Sequence, residues 1–293
     1  MKIEHILVIS DQQDKKQKAL AHGKAMAERS GAKLHVVAFH YEHLTGLAED
    51  LSETQINEVK EKSLQLHQQW LDEQVAKQEF ESPVTSEVVW EKDIAAWVQQ
   101  HCKAASYDLI LKTGHRSEGA NYVPTDWHLI RNGQVPVLLV ADKKWRKKQC
   151  IMVALDMGTM VKSKQTLNQK LVDAGRALST STQMPLHFSV SIPFSPALKD
   201  MGFTDTKKSV KKAKQKYLPL IQAMLNDDNW SQDNLHIKAG QPSKVLPSIA
   251  ADIAAGLVII GTVGRKGLKA KLLGNTAEEV LSLLKTDVLA IQP

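Results

Sequence analysis

The sequence predicts an α/β protein built from two doubly wound, parallel five-stranded sheets in tandem. Two observations support this prediction. Short apolar runs rich in β-branched residues alternate with segments of helical period, and the order β-α-β-α-β-α-β-α-β occurs twice in 293 residues. Strands joined by helical crossovers pair in parallel, and right-handed crossovers place helices on both faces of each sheet. We expect one domain at residues 1–146 and a second at residues 147–293.

The first half supplies five strands and four helices. Its apolar runs are too short for helices and predict strands at 6–9, 34–39, 84–90, 108–111 and 135–140. Segments of helical character lie between them at 15–30, 52–78, 93–105 and 124–131. Gly31 is suited to end the first of these helices, and Asp93 is suited to cap the third.

The second half repeats this order. Its predicted strands are 151–155, 186–190, 235–238, 257–260 and 288–291. Its predicted helices are 163–178, 205–225, 243–255 and 276–284. The basic, polar run 143–149 between the halves predicts a solvated linker.

Composition and charge restrict the class of protein. Hydrophobic residues make up 43% of the chain and charged residues 24%, which excludes disordered and fibrous proteins. The net charge of +6 raises the question of an anionic partner. The first half carries 18 Lys and Arg against 21 Asp and Glu, net −3, whereas the second carries 20 against 11, net +9. The basic character therefore belongs to the second half alone.

The densest group of lysines lies on the predicted helix 205–225. The apolar positions of this helix form a buried stripe, so the lysines make its solvated face. No aromatic stacking pattern or recognition-helix motif accompanies them, and we do not expect nucleic-acid binding. The lysines of this group are Lys207, Lys208, Lys211, Lys212, Lys214 and Lys216.

Redox and targeting signals indicate a cytoplasmic protein. Cys102 and Cys150 are far apart and form no CxxC pair, so neither a disulfide framework nor a zinc site is expected. The eleven histidines include no HExxH motif, and we interpret them as surface or packing residues without a metal. The N-terminus has no signal-peptide pattern, and no apolar run approaches the roughly 18 residues that span a bilayer, so membrane insertion is not expected.

A glycine-rich loop after the fourth strand of the second half carries the strongest functional signal. Gly261, Gly264 and Gly274 follow the spacing G-x2-G-x9-G, and two cap residues, Asn275 and Thr276, come next at the start of a predicted helix. Such glycines allow close backbone approach to a phosphate, and the helix start presents unpaired amides. Arg265 and three lysines (Lys266, Lys269 and Lys271) add positive charge. The alternative is that the glycines only form turns and a helix cap; the loop is neither a Walker A nor a GxGxxG motif.

These residues resemble the universal stress protein family. The resemblance rests on the runs 261–265 and 273–278, on Asp156 at the end of a first strand, and on the run 125–129 in the first half. It covers both halves and is greatest to the tandem, two-domain members of the family. It implies two adenine nucleotide alpha-hydrolase-like sheets of strand order 3-2-1-4-5.

The resemblance also implies an adenine nucleotide, such as ATP, in the second half. Asp156 would lie beside the adenosine, and the backbone near Val190 would meet the adenine. Phosphates would be held by Gly261, Gly264, Gly274, Asn275 and Thr276, with Arg265 nearby. Family members that bind ATP usually have Ser or Thr directly after the last glycine, where this chain has Asn275.

The first half departs from this pattern. Its corresponding loop, 113–125, lacks the glycine spacing and contains Glu118, which repels phosphate. Asp11 still ends the first strand, but we expect this half to have lost nucleotide binding. Thr125 and Asp126 are then interpreted as a structural helix cap and Trp127 as a packing residue.

No catalytic constellation is visible, so the sequence favours a non-enzymatic stress-response protein. By the resemblance, its role would be resistance to stress, including DNA damage. The halves would pack as an internal pseudo-dimer in which 135–140 and 288–291 pair or neighbour, and a homodimer is compatible with this. Two alternatives stay open: a slow ATPase, and a carrier of another small, lipid-like ligand. The second rests on aromatic residues of the first half, namely Trp70, Trp90, Trp97, Tyr122 and Trp127.

Overall fold

A computed structural model describes residues 2–44, 52–114, 125–141, 149–201, 205–227, 230–262 and 275–293, which form two units. The first unit contains the strands β1 (His5–Ser10), β2 (Lys33–His40), β3 (Val84–Trp90), β4 (Leu109–Thr113) and β5 (Val137–Val140). Its helices are α1 (Lys18–Ser30), α2 (Glu53–Ala76), α3 (Ile94–Ala104) and α4 (Thr125–Asn132).

The second unit repeats the arrangement. Its strands are β6 (Cys150–Leu155), β7 (Leu186–Ile192), β8 (Leu235–Ala239), β9 (Ala255–Gly261) and β10 (Asp287–Ile291). Its helices are α5 (Lys162–Thr182), α6 (Pro196–Asp200), α7 (Thr206–Leu225), α8 (Pro242–Asp252) and α9 (Asn275–Leu283). Among these elements, the five-residue α6 has no counterpart in the sequence prediction.

The strand order within each unit confirms the predicted fold class. The first sheet has the order β3-β2-β1-β4-β5 and the second β8-β7-β6-β9-β10, so both follow the pattern 3-2-1-4-5. The described pairings within each unit are parallel. In each sheet the first strand is central and has a partner on both sides. Strand order therefore reverses at β1 and at β6.

Two helix ends differ from the predicted bounds for local reasons. The helix predicted to reach residue 255 ends at Asp252, because Ala254 has a left-handed backbone (φ 52°) and β9 begins at Ala255. The helix predicted to end at residue 178 continues to Thr182, where hydroxyl groups of its last turns bond back to carbonyls one turn earlier. The predicted linker 143–149 lies almost entirely outside the described residues, so the domain boundary at 146 stays a prediction.

The core of each unit lies on both faces of its central strands. Residues 6–9 of β1 and residues 150–153 of β6 are almost completely buried. Continuous apolar strands of this kind are typical of parallel sheets covered by helices on both sides. None of the helices within the described ranges combines the length and the apolar character needed to cross a membrane.

The same glycine contact sets the position of the first helix in both units. A Cβ at Gly23 of α1 would lie 2.8 Å from Cγ2 of Val8 in β1, and a Cβ at Gly175 of α5 would lie 2.6 Å from Cγ2 of Val153 in β6. These separations are shorter than van der Waals contact, so only glycine allows the helix to approach the central strand this closely.

We predict that Gly175→Ala destabilises the second unit, although alanine is the better helix former. Helix propensity returns at most about 1 kcal/mol, whereas overpacking a core costs roughly 1–3 kcal/mol, which leaves a net loss of about 1 kcal/mol. Urea unfolding measures the loss. The matched control is the double variant Gly175→Ala/Val153→Ala, which should be less destabilised than the sum of its single changes. Stabilisation by Gly175→Ala alone would contradict the contact.

Candidate functional site

The carboxyl edge of the second sheet brings two of the predicted site residues to neighbouring strand ends. Asp156 directly follows β6, and Gly261 is the last residue of β9, which pairs with β6. Ligands of doubly wound sheets bind at this edge, where the strand order reverses. Elements that are far apart in sequence thus meet at one crevice.

Asp156 is held by its backbone while its carboxylate faces solvent. The side-chain amide of Asn168 in α5 donates to the Asp156 carbonyl (2.9 Å), and its oxygen accepts from the Asp156 amide (3.1 Å). The carboxylate is 52% exposed and lies 3.1 Å from Nζ of Lys164, which is 40% exposed. An exposed ion pair of this kind contributes little stability, so it can open to let Asp156 accept hydroxyl groups. Sequence reasoning missed Asn168, a buried polar residue in an otherwise apolar helix stripe.

Gly261 has a packing role that the sequence did not indicate. A Cβ at this position would lie 2.6 Å from Cδ2 of Leu167, which α5 places over the end of β9. The next residue, Thr262, is buried, and its amide donates to the carbonyl of Ile291 (2.9 Å). Helix packing therefore favours glycine at the end of β9, because a larger residue would displace the Leu167 side chain, while the contact of Gly261 with phosphate stays a prediction.

The other predicted site residues are only partly described. The side chain of Val190 is 1% exposed and β7 continues to Ile192, so the carboxyl end of this strand lies two residues further along than predicted. Asn275 and Thr276, predicted as cap residues, both lie in α9, which begins at Asn275, one residue before the predicted start. The remaining three predicted residues, Gly264, Arg265 and Gly274, lie outside the described residues.

The corresponding edge of the first sheet is occupied by a buried ion pair. Lys112 of β4 directs its Nζ to Oδ1 of Asp126 in the first turn of α4, at 2.9 Å, and each side chain is 5% exposed. The lysine also donates to the carbonyl of Thr113 (3.1 Å). In the second unit the same stretch of strand reads Ile260-Gly261, without a charge.

A second carboxylate fills the space beside β1. The hydroxyl of Thr113 donates to Oδ2 of Asp14 (2.8 Å), which also accepts from the amide of Lys18 (2.8 Å). Gln17 holds the intervening loop by donating to the carbonyls of Asp11 and Asp14, both at 2.7 Å. The first edge thus holds the carboxylates of Asp14 and Asp126, both of which have partners within the protein, whereas the carboxylate described at the second edge is the exposed Asp156.

The structure adds a contact to the sequence interpretation of Thr125 and Asp126. Both residues lie in the first turn of α4, within the predicted helix, and Asp126 forms an ion pair with Lys112. Their role as a helix cap stays a prediction. The one local signal of this pair is a lysine, Lys112, within an otherwise apolar strand.

Comparison with known proteins identifies the family. A family model described as the Universal stress protein family matches residues 2–141 and again residues 150–292. The chain belongs to the universal stress protein family. The two matches make it a tandem member, and membership supports a role in the response to stress.

Relatives and solved structures extend over the whole chain. Universal stress protein E homolog of Haemophilus influenzae is 31% identical over 100% of this chain and 98% of its own length. Universal stress protein E of Salmonella typhi is 30% identical, over 99% and 94%. These full-length relatives confirm the predicted resemblance to tandem members. A solved protein of unknown function from Pseudomonas aeruginosa has 22% identity, coverage of 99% and 93%, and a TM-score of 0.70, which shows the fold.

The second universal stress domain also contains a cavity away from the carboxyl edge. It has a volume of about 250 Å³ and lies where α7, β8 and α8 meet. His236 of β8 lines it, and Nε2 of this residue lies 2.8 Å from Nδ1 of His187 in β7, with the two rings parallel at 5.1 Å. Charged neighbours of His236 are Lys214 of α7, Lys238 of β8 and Asp252 of α8.

Both histidines of this pair have a lowered pKa. Burial is the main cause for each, and His236 lowers the pKa of His187 further. For His236, Lys214 and Lys238 act in the same direction, whereas Asp252 opposes them. The folded protein therefore holds the pair neutral at pH values where the unfolded chain, with a histidine pKa of about 6.5, begins to take up protons.

We predict that the second domain loses stability as the pH falls from about 7.5 towards 5.5. In that range the unfolded state binds more protons than the folded state, so the free energy of unfolding decreases as the pH falls. The stability contributed by the neutral histidine pair is complete only above the pKa of histidine in the unfolded chain. Urea unfolding at several pH values measures the slope. His236→Gln should reduce it, and an identical slope in the variant would contradict the assignment.

We also predict that Lys112→Met destabilises the first domain by roughly 3–5 kcal/mol, because it leaves the buried Asp126 carboxylate without the cation beside it. The double variant Lys112→Met/Asp126→Leu removes both charges and should recover most of the loss. Urea unfolding compares the three proteins. Equal stability of the wild type and Lys112→Met would show that the ion pair does not matter to the fold.

Proposed function

We propose that the second universal stress domain binds an adenine nucleotide such as ATP at its carboxyl edge, whereas the first does not. In this proposal the chain is a cytoplasmic, non-enzymatic protein that contributes to survival under stress, including DNA damage. The nucleotide is the ligand through which the second domain would sense the state of the cell.

The difference between the two carboxyl edges carries this proposal. In the first domain, Asp14 and Asp126 fill the edge, and Lys112 is already neutralised by Asp126. In the second, Asp156 is half exposed beside the end of β9, and its hydrogen bonds leave its carboxylate facing solvent. Carboxylates repel phosphate, while an exposed carboxylate next to a strand end is a suitable acceptor for ribose hydroxyl groups.

Charge supports the same assignment. The second half carries the net charge of +9, and Lys164 of α5 lies directly beside Asp156. The sequence that follows β9 contains Arg265 and three further lysines. A positively charged edge attracts a nucleoside triphosphate and raises its local concentration.

A binding role without catalysis is supported by the surroundings of Asp156. In the described part of the chain, neither a histidine nor a second carboxylate forms a hydrogen bond with its side chain, whose partner is Lys164. Asp156 therefore belongs to no carboxylate–histidine or carboxylate–carboxylate pair of the kind used in general acid–base catalysis among these residues.

The test measures ATP binding by calorimetry with matched variants. Asp156→Asn should weaken binding roughly tenfold to a hundredfold, because a hydrogen bond to a charged group contributes about 1.5–3 kcal/mol. The control is Asp11→Asn, which changes the corresponding residue after β1 and should leave the affinity unchanged. Gly264→Glu places a negative charge in the predicted loop and should abolish binding.

Three results would overturn the proposal. The first is an ATP affinity that depends on Asp11 rather than Asp156. The second is steady phosphate release by the pure protein that disappears in Gly264→Glu, which would favour the slow ATPase. The third is recovery of an acyl species, and of no nucleotide, by mass spectrometry of ligands released from the protein, which would favour the lipid-like carrier.

A further inference from the structure

Two histidines and a glutamate converge on one face of the first sheet. His35 lies on β2, Glu87 on β3 and His101 on α3, and we refer to them as the histidine–glutamate cluster. One ligand atom from each of the three lies within 4.8 Å of the other two. Nε2 of His35 and Oε1 of Glu87 are 3.2 Å apart. The three residues are separated by 52 and 14 positions along the chain, which is why no sequence spacing indicated them.

Tyr107 connects the two imidazoles from the side. Its hydroxyl lies 2.6 Å from Nδ1 of His35 and 3.0 Å from Nε2 of His101. A histidine that binds a metal through one ring nitrogen normally hydrogen-bonds through the other, which fixes its tautomer and orientation. Because the phenol oxygen can accept from both rings, Tyr107 is placed to orient His35 and His101 together, with Nε2 of His35 directed at Glu87.

Aromatic contacts hold the two histidines of the cluster close together. The ring of Trp97 stacks on His101 at 4.3 Å, and the rings of His35 and His101 meet edge to face at 5.4 Å.

We propose that the histidine–glutamate cluster binds a divalent transition-metal ion, and that this ion is zinc. Two imidazole nitrogens and one carboxylate form a donor set suited to Zn²⁺, with a water molecule as the fourth ligand. Bond lengths of about 2.0–2.1 Å in a tetrahedron separate neighbouring ligand atoms by roughly 3.3 Å. The distance between His35 and Glu87 already fits this value, and the ligand atoms of the cluster all lie within 4.8 Å of one another.

The second domain provides an internal comparison. Glu87 pairs with the residue two positions after His35, and His236 pairs with the residue two positions after His187, so the two pairs occupy the same place in their sheets. The carboxylate of the first pair is thus replaced by a second imidazole. Counted from the start of each helix, Ile249 of α8 takes the position of His101 in α3. The second site therefore lacks two of the three ligands in their proposed arrangement.

The ion would join α3 to two strands of the first sheet. His101 belongs to the helix, whereas His35 and Glu87 belong to β2 and β3. Binding to the folded but not the unfolded chain stabilises a protein in proportion to the logarithm of ligand concentration over Kd. Zinc should accordingly raise the thermal midpoint of the first domain.

The test titrates the full chain with Co²⁺, followed by visible absorption, and then displaces it with Zn²⁺. We expect one ion per chain with the intense absorption of a four-coordinate site. Glu87→Gln, at a side chain that is 45% exposed, keeps the shape of the residue and should weaken Zn²⁺ binding at least tenfold. His101→Asn should abolish the cobalt spectrum. The matched control is His236→Gln in the second domain, which should retain the spectrum and the affinity.

Thermal unfolding with and without Zn²⁺ separates a built site from surface binding. The wild type and His236→Gln should gain thermal stability with zinc, while Glu87→Gln and His101→Asn should not. Absence of cobalt or zinc binding by the wild type would overturn the proposal. So would a zinc affinity that neither Glu87→Gln nor His101→Asn changes, which would place the ion elsewhere.

Discussion

The close approach of one helix to the central strand is the constraint on which both domains depend. Gly23 on α1 and Gly175 on α5 allow the helix backbone to lie against Val8 and Val153, where a single added methyl group would overlap the valine. This contact fixes the helix over the strand at which strand order reverses. The carboxyl edge where a ligand can bind follows from it, because the loop after the central strand leads directly into the helix.

The same frame carries two different edges. In the first domain, Lys112 and Thr113 lie at the end of β4. Lys112 forms a buried ion pair with Asp126, and the hydroxyl of Thr113 donates to Asp14. In the second, Ile260 and Gly261 stand at the end of β9 and leave no charge to be satisfied. A buried charge needs a partner of opposite charge. The lysine at position 112 of β4 therefore requires an anion inside the first domain, and Asp126 supplies it. We interpret the two domains as a repeat in which the first copy fills this edge with its own carboxylates, Asp14 and Asp126.

The two domains also differ at one pair of equivalent positions on their second and third strands. The position held by the pair His35 and Glu87 in one domain is held by His187 and His236 in the other. A histidine beside a carboxylate can become a cation or bind one, whereas two adjoining imidazoles disfavour a proton on either of them. Small changes at equivalent strand positions therefore give the domains different chemistry without changing the fold.

The sequence by itself determined the fold class and most element bounds, because periodicity and the residues that begin or end an element are local properties. The strand order was implied by the family resemblance. It also located the loop and Asp156 as candidate binding residues. Only the tertiary structure decided what Lys112, Asn168 and Tyr107 contact, and which side chain of α5 favours glycine at position 261. Their partners lie on other elements of the sheet, and a pattern read along one chain carries no record of which side chains the crossover connections bring within hydrogen-bond distance.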